Sequence, residues 1–201
     1  SSDLKAPFHT EPDPSLFKHV IHMVPKMAFG TGHHPTTYLM MEAVLEAAEK
    51  GILQGQHVLD MGCGTGILAV LALQAGAASA VGIEIDPYAA ENAEEIAELN
   101  KVADRLKIYA GDAGILQQEP GPYQWVLANI NRNILLSDMH HYASVSAPGA
   151  RLDLSGFYQA DVETLVECAK RCGYSLVKQA SKEGWMRLTL VYQGHDQTHT
   201  A

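Results

Sequence analysis

Val58-Leu59-Asp60-Met61-Gly62-Cys63-Gly64-Thr65-Gly66 runs without a break into the apolar stretch Ile67–Leu73. A short apolar run that turns into a helix through three alternating glycines lets a ligand lie against bare backbone. The helix N-terminus behind it offers free N–H groups and a partial positive charge. At the end of the next strand pattern, 22 positions beyond Gly62, stands Glu84. Acids at about that distance commonly hold ribose hydroxyls in nucleotide-binding α/β domains.

The spacing discriminates among nucleotides. The dinucleotide fingerprint is G-x-G-x-x-G, whereas this loop reads G-x-G-x-G with Asp60 two positions ahead of the first glycine. A carboxylate at that point repels a pyrophosphate but can hold an ammonium. S-adenosylmethionine carries an amino-acid end, a sulfonium and a ribose but no phosphate, and it fits better than NAD. The competing reading is that the glycines only make a tight turn, which leaves Glu84 unexplained. Asp86-Pro87 reads as a helix N-cap followed by N1, so the ribose is assigned to Glu84. Asp112, after Gly111, has two open roles: hydrogen-bonding an adenine amino group or capping a turn.

Outward from this unit, strand-like runs cover His57–Met61, Ala80–Ile85, Leu106–Ala110, Trp125–Ile130, Arg151–Ser155, Ser175–Gln179 and Met186–Tyr192. Helical periodicity covers Thr36–Lys50, Ala89–Ala97 and Val162–Ala169. Strands alternating with helices predict an α/β domain on a largely parallel sheet, and the last two strands predict an antiparallel edge hairpin. Four prolines before residue 27 predict an extended lead-in, with at most a short helix near Ser15–Met23. Asn133 reads as a residue that caps or starts a helix, and Gly194–Ala201 as a flexible tail.

The 201 residues, 47% apolar and 18% charged, suffice for one domain with a substantial core. A formal charge of −9 argues against sequence-independent nucleic-acid binding and favours a basic partner. Three cysteines, Cys63, Cys168 and Cys172, point to a reducing, cytoplasmic setting. No run of about 18 apolar residues suggests a membrane span. His33-His34, His140-His141 and His195-x-x-x-His199 make no closed set of metal ligands, so no metal is expected.

Asp60-x-Gly62-x-Gly64-x-Gly66 resembles the class I S-adenosylmethionine-dependent methyltransferases. The upstream loop Ala28-Phe29-Gly30-Thr31-Gly32-His33-His34-Pro35-Thr36-Thr37 is more specific. With Gly82-Ile83-Glu84-Ile85-Asp86-Pro87, Ala128-Asn129-Ile130, Leu154-Ser155-Gly156 and the closing Trp185 strand, it resembles the PrmA-type ribosomal protein methyltransferases. The likeness covers roughly Met27 to Tyr192. It implies a Rossmann-like class I fold, with a mostly parallel seven-stranded sheet, helices on both faces and an antiparallel edge hairpin.

The resemblance also implies cofactor contacts at Thr37, Gly62, Glu84 and Asn129, Glu84 standing where the family usually has Asp. Phe29, Thr31, Asp60, Gly64, Gly66 and Asp112 complete the expected S-adenosyl-L-methionine site. Asn129 and the carbonyl of Ile130 are the expected catalytic pair, orienting an amine for methyl transfer. The ordinary alternative for Asn129 is a turn residue after a strand. The implied substrate is a basic protein, the large-subunit ribosomal protein numbered eleven, methylated on lysine and N-terminal amines. Family members usually carry an N-terminal substrate-recognition domain, for which 26 residues are too few. Residues 1–26 are therefore read as an extended lead-in or linker remnant, 27–193 as the catalytic domain and 194–201 as the tail.

Two rival readings remain at this point. One is a methyltransferase for a nucleic-acid base or small molecule, since Asn129-Ile130 loosely resembles an Asn-Pro-Pro-Tyr motif. The absent prolines and the charge of −9 weigh against nucleic acid. The other is a non-catalytic S-adenosylmethionine-binding module.

Overall fold

A computed structural model describes residues 2–5, 18–23 and 34–194. Seven strands form one sheet: β3 (His57–Met61), β4 (Ser79–Glu84), β5 (Leu106–Ala110), β6 (Tyr123–Asn129), β7 (Ser146–Tyr158), β8 (Tyr174–Lys182) and β9 (Trp185–Tyr192). Their spatial order is β5-β4-β3-β6-β7-β9-β8. The first five are parallel neighbours, and β9 lies antiparallel between β7 and β8. Glu183 and Gly184 both take positive φ, 51° and 83°, the primed-turn geometry that closes a two-residue hairpin. Chain order reverses between β3 and β6, so a crevice opens beyond their C-terminal ends, where open α/β sheets bind ligands.

Helices α1 (Pro35–Glu49), α2 (Ile67–Gln74) and α3 (Pro87–Leu99) cover one face, packing Met40, Ala43, Val70 and Ile96 against Val58, Trp125 and Leu127. Helices α4 (Arg132–Val145) and α5 (Val162–Arg171) cover the other, with Leu135, Met139, Tyr142 and Leu165 against Val126, Leu154 and Leu188. The run Ile67–Leu73 is wholly buried, as a helix apolar on every side must be. His34, Asp86 and Asn131 cap α1, α3 and α4.

The architecture matches the expected one; the differences are local. His57–Met61 and Leu106–Ala110 have the expected bounds. The described part of the Ser15–Met23 segment is not helical: His19–His22 is strand β2, paired in parallel with β1 (Ser2–Lys5). Its backbone finds partners from outside, for the Asn100 amide both accepts from His22 N–H and donates to its carbonyl, each at 2.8 Å. Ile21 is fully buried, so this part of the lead-in packs into the core. Asn133 stands in the first turn of α4, so it starts a helix as expected, while the cap itself is Asn131. Asn131 Oδ1 accepts from the Asn133 and Ile134 amides at 3.1 and 3.2 Å. Residues 195–201 of the expected tail lie outside the described residues. No helix among the described residues is long and apolar enough to cross a membrane.

Candidate active site

The loop after β3 takes left-handed backbone at each glycine, φ being 63° at Gly62, 54° at Gly64 and 73° at Gly66. A Cβ on Gly62 would come within 3.2 Å of the Ile130 side chain, so that glycine also brings the β6 end close. Glu84, at the tip of β4, is held from two sides. Gly64 N–H donates to Oε2 at 2.9 Å and Asp86 N–H to Oε1 at 3.0 Å. Each oxygen keeps a second lone pair for a ligand hydroxyl. Asp86 spends its own side chain on capping, accepting from Tyr88 N–H at 2.9 Å.

Asp60 lies beneath this loop and is not on the cleft wall, with 1% of its surface exposed. Oδ2 accepts from Ala69 N–H at 3.3 Å, in the first turn of α2, while Oδ1 has no hydrogen-bond partner among the described residues. Burial pushes its carboxyl up to about 7; the Ala69 amide opposes that rise and the Glu84 charge adds to it. Burial, with the same two acids, also raises the Cys63 thiol, which makes Cys63 an inert filler under Gly82.

The cleft above the loop encloses about 260 Å³. Its lining includes Ile85, Asp112 and Ala113, Ile134 and Asp138 of α4, and Thr37, Asn129 and Ile130. Asp112 Oδ1 accepts from Gly114 N–H at 2.8 Å, so it both caps a turn and lines the cleft. Asn129 pairs with Ser155 in the β6–β7 ladder, and Ile130 N–H donates to the Ser155 carbonyl at 3.1 Å. Its side chain makes no hydrogen bond among the described residues. The Ile130 carbonyl lies hard against Gly156, where a Cβ would stand 2.2 Å from its oxygen. At the neighbouring strand ends Trp185 stacks on Tyr158, ring centroids 4.1 Å apart, and meets His34 edge-on at 4.9 Å.

Thr37, Gly62, Gly64, Glu84, Asp112, Asn129 and Ile130 are thus brought to one cleft, with Asp60 and Gly66 behind it. Phe29, Thr31 and His33 lie outside the described residues. Sequence reasoning missed Ile85, Ile134 and Asp138. Ile85, between Glu84 and Asp86, is an apolar residue 74% exposed, and only its place beside the acid could have drawn notice. Among the described residues no group of three or more His, Cys, Asp or Glu side chains could hold a metal ion.

The family described as ribosomal protein L11 methyltransferase (PrmA) matches residues 6–193. A ribosomal protein L11 methyltransferase of Porphyromonas gingivalis is 46% identical over 92% of the chain, which spans 61% of that relative's length. The fold is shared with a ribosomal protein L11 methylase from Lactobacillus delbrueckii subsp. bulgaricus (TM-score 0.81, 22% identity, 96% and 93% of the two chains). It is shared also with an RNA methyltransferase from Salinibacter ruber in complex with S-adenosyl-L-homocysteine (TM-score 0.63, 18% identity, 84% and 100%). Cleft and comparisons agree, and the chain belongs to the ribosomal protein L11 methyltransferase (PrmA) family.

Proposed function

We propose that this chain is the methyl-transferring body of an S-adenosylmethionine-dependent enzyme that N-methylates lysine and N-terminal amines of ribosomal protein L11. The observation that carries the reading is the Glu84 carboxylate, fixed by two backbone N–H groups across a glycine loop from Asn129. The residues fit the cofactor. Glu84 would take the ribose hydroxyls, and Ile85, Ala113 and Ile134 would give the base an apolar slot beside Asp112. Asp60 Oδ1, without a hydrogen-bond partner among the described residues, would draw the amino-acid end toward the loop, and Thr37 also lines the cleft. When bound, S-adenosylmethionine supplies an electrophilic methyl group.

The chain's own part is to present a neutral amine. Lysine has a reference pKa of about 10.4, so the ammonium must lose its proton to solvent before attack. The apolar side chains of Ile130 and Trp185 would favour that loss once a docked substrate shields them from water. Asn129 Oδ1 would then accept an amine N–H, and the Ile130 carbonyl a second, aiming the nitrogen lone pair. Orientation of this kind can supply about 7–11 kcal/mol in favourable cases.

Calorimetric titration with S-adenosylmethionine, followed by mass spectrometry of purified L11 after incubation, tests the reading. Saturable binding and methylated amines are expected. Binding with transfer to a nucleic-acid base instead, or with no transfer to any acceptor, overturns the amine assignment.

A further inference from the structure

The sheet face under α1 is not the apolar surface that a covering helix normally meets. On β7 and β9 the side chains turned toward α1 include Asp153, Arg187 and Thr189, all buried. Asp153 is saturated: Trp125 Nε1 donates to it at 2.8 Å, and Arg151 Nε and Thr189 Oγ1 each at 2.5 Å. Arg187 Nε stays 4.0 Å from that carboxylate and has no hydrogen-bond partner among the described residues. Its guanidinium, 0% exposed, is aimed at the helix instead. Nη1 donates to the Leu39 carbonyl at 2.7 Å and lies 3.8 Å from Glu42 Oε2, while Nη2 donates to Glu46 Oε2 at 3.5 Å. Lys178 closes the far end, donating to both Glu46 oxygens at 2.7 and 2.8 Å.

Resting on the cofactor reading above, we infer that Arg187 is a positioning residue: it fixes α1 along its axis so that Thr37 stands on the cleft wall. A buried cation is a poor source of stability, since an apolar side chain of similar volume often serves as well. What a planar fork with fixed donor directions adds is geometry. The pinned carbonyl belongs to Leu39, two residues and about 3 Å along the axis from Thr37. Two positions further back on β9, Trp185 touches His34, the α1 cap. One strand therefore holds the cleft end of the helix at both its cap and the start of its second turn.

The test compares wild type, Arg187→Met, Arg187→Lys and the double variant Arg187→Met/Glu46→Gln, reading melting temperature and S-adenosylmethionine Kd on each. Arg187→Met is expected to fold and to weaken Kd by about tenfold, within the range that remote positions exert on a site. Glu46 keeps Lys178 as its partner in Arg187→Met, so the double variant loses that ion pair as well; its melting temperature falls further while Kd stays where Arg187→Met left it. A Kd that weakens further in step with melting temperature would mean a merely structural role and overturns the inference, as does an unchanged Kd in Arg187→Met. If Arg187→Met does not fold, Arg187→Lys decides. It keeps the charge but loses the span from Leu39 to Glu46, so an intermediate loss of affinity supports the inference and an unchanged Kd overturns it. Wild type that fails to bind S-adenosylmethionine would sink the cofactor reading itself, a separate result.

Discussion

At the scale of single residues, Asp60 and Asn129 pull stability and function apart. The Asp60 carboxyl rises from 3.8 to about 7 in the folded chain. The folded state therefore keeps a proton that the unfolded chain releases above about pH 4. Stability falls as pH climbs from about 4 to about 7 and is flat beyond, by up to about 4 kcal/mol. Asp60→Asn should flatten this profile and melt higher than wild type at about pH 8, visible in denaturant titrations across pH. A cation in the cleft favours the ionised carboxylate, so wild-type affinity for S-adenosylmethionine should rise between about pH 6 and about pH 8, and that rise should vanish in Asp60→Asn. A variant that melts lower at alkaline pH contradicts the assignment. Asn129 is the converse, with no side-chain hydrogen bond among the described residues to lose. Asn129→Ala should leave melting temperature nearly unchanged and lower turnover about 10²-fold, the usual cost of an oriented polar group at a reacting centre, and by more than it weakens cofactor Kd. Equal turnover in the two proteins would remove Asn129 from the mechanism.

At the scale of elements, the C-terminal ends of β6 and β7 close on each other only because residue 156 has no side chain. Gly156→Ala sets a methyl 2.2 Å from the Ile130 oxygen at φ +101°, and the strands must part. The expected loss is about 3 kcal/mol or more, with activity falling as Ile130 moves. Gly149→Ala is the matched control, strained at φ +76° but facing open space, and should cost only about 1 kcal/mol in the same melting experiment. These elements also show what the sequence discloses. The glycine loop and Glu84 were legible because their chemistry depends on local spacing along one strand–loop–helix unit. Of helix α4 only the start was legible, at Asn133; its extent was not read, although Leu135, Met139, Tyr142 and Ala143 have helical spacing. Strand β2 depends on Asn100, 78 positions away, and no local pattern reports that. Arg187 was hidden by a sound rule: a charge in a strand normally marks the solvent side, and here it marks a buried contact with α1. Ile134 and Asp138 join Ile85 and Asp112 in lining the cleft only once α4 has packed.

At the scale of the whole molecule, the formal charge of −9 has a location. Glu91, Glu94, Glu95 and Glu98 line the exposed side of α3, while Asp86 and Asp112 stand exposed near Glu84 at the sheet's β4–β5 end. An acidic field beside the cleft speeds the arrival of a lysine-rich protein and is screened over about 8 Å at physiological ionic strength. The proposed substrate and cofactor should therefore respond differently to salt. S-adenosylmethionine binds inside the cleft within a few ångströms of its partners, and carries a carboxylate that offsets part of its positive charge. Its Kd should change less than about twofold between low and high salt. Methylation of L11 should lose at least about threefold in kcat/KM over the same range, with kcat nearly constant, because the screened quantity is the encounter. The same assay on a short lysine peptide separates field from docking, since a peptide with one positive charge feels less steering and should show the shallower slope. Equal slopes for protein and peptide, or a kcat that falls while KM holds, would place the salt sensitivity in the chemical step and leave the acidic rim without a part in choosing the substrate.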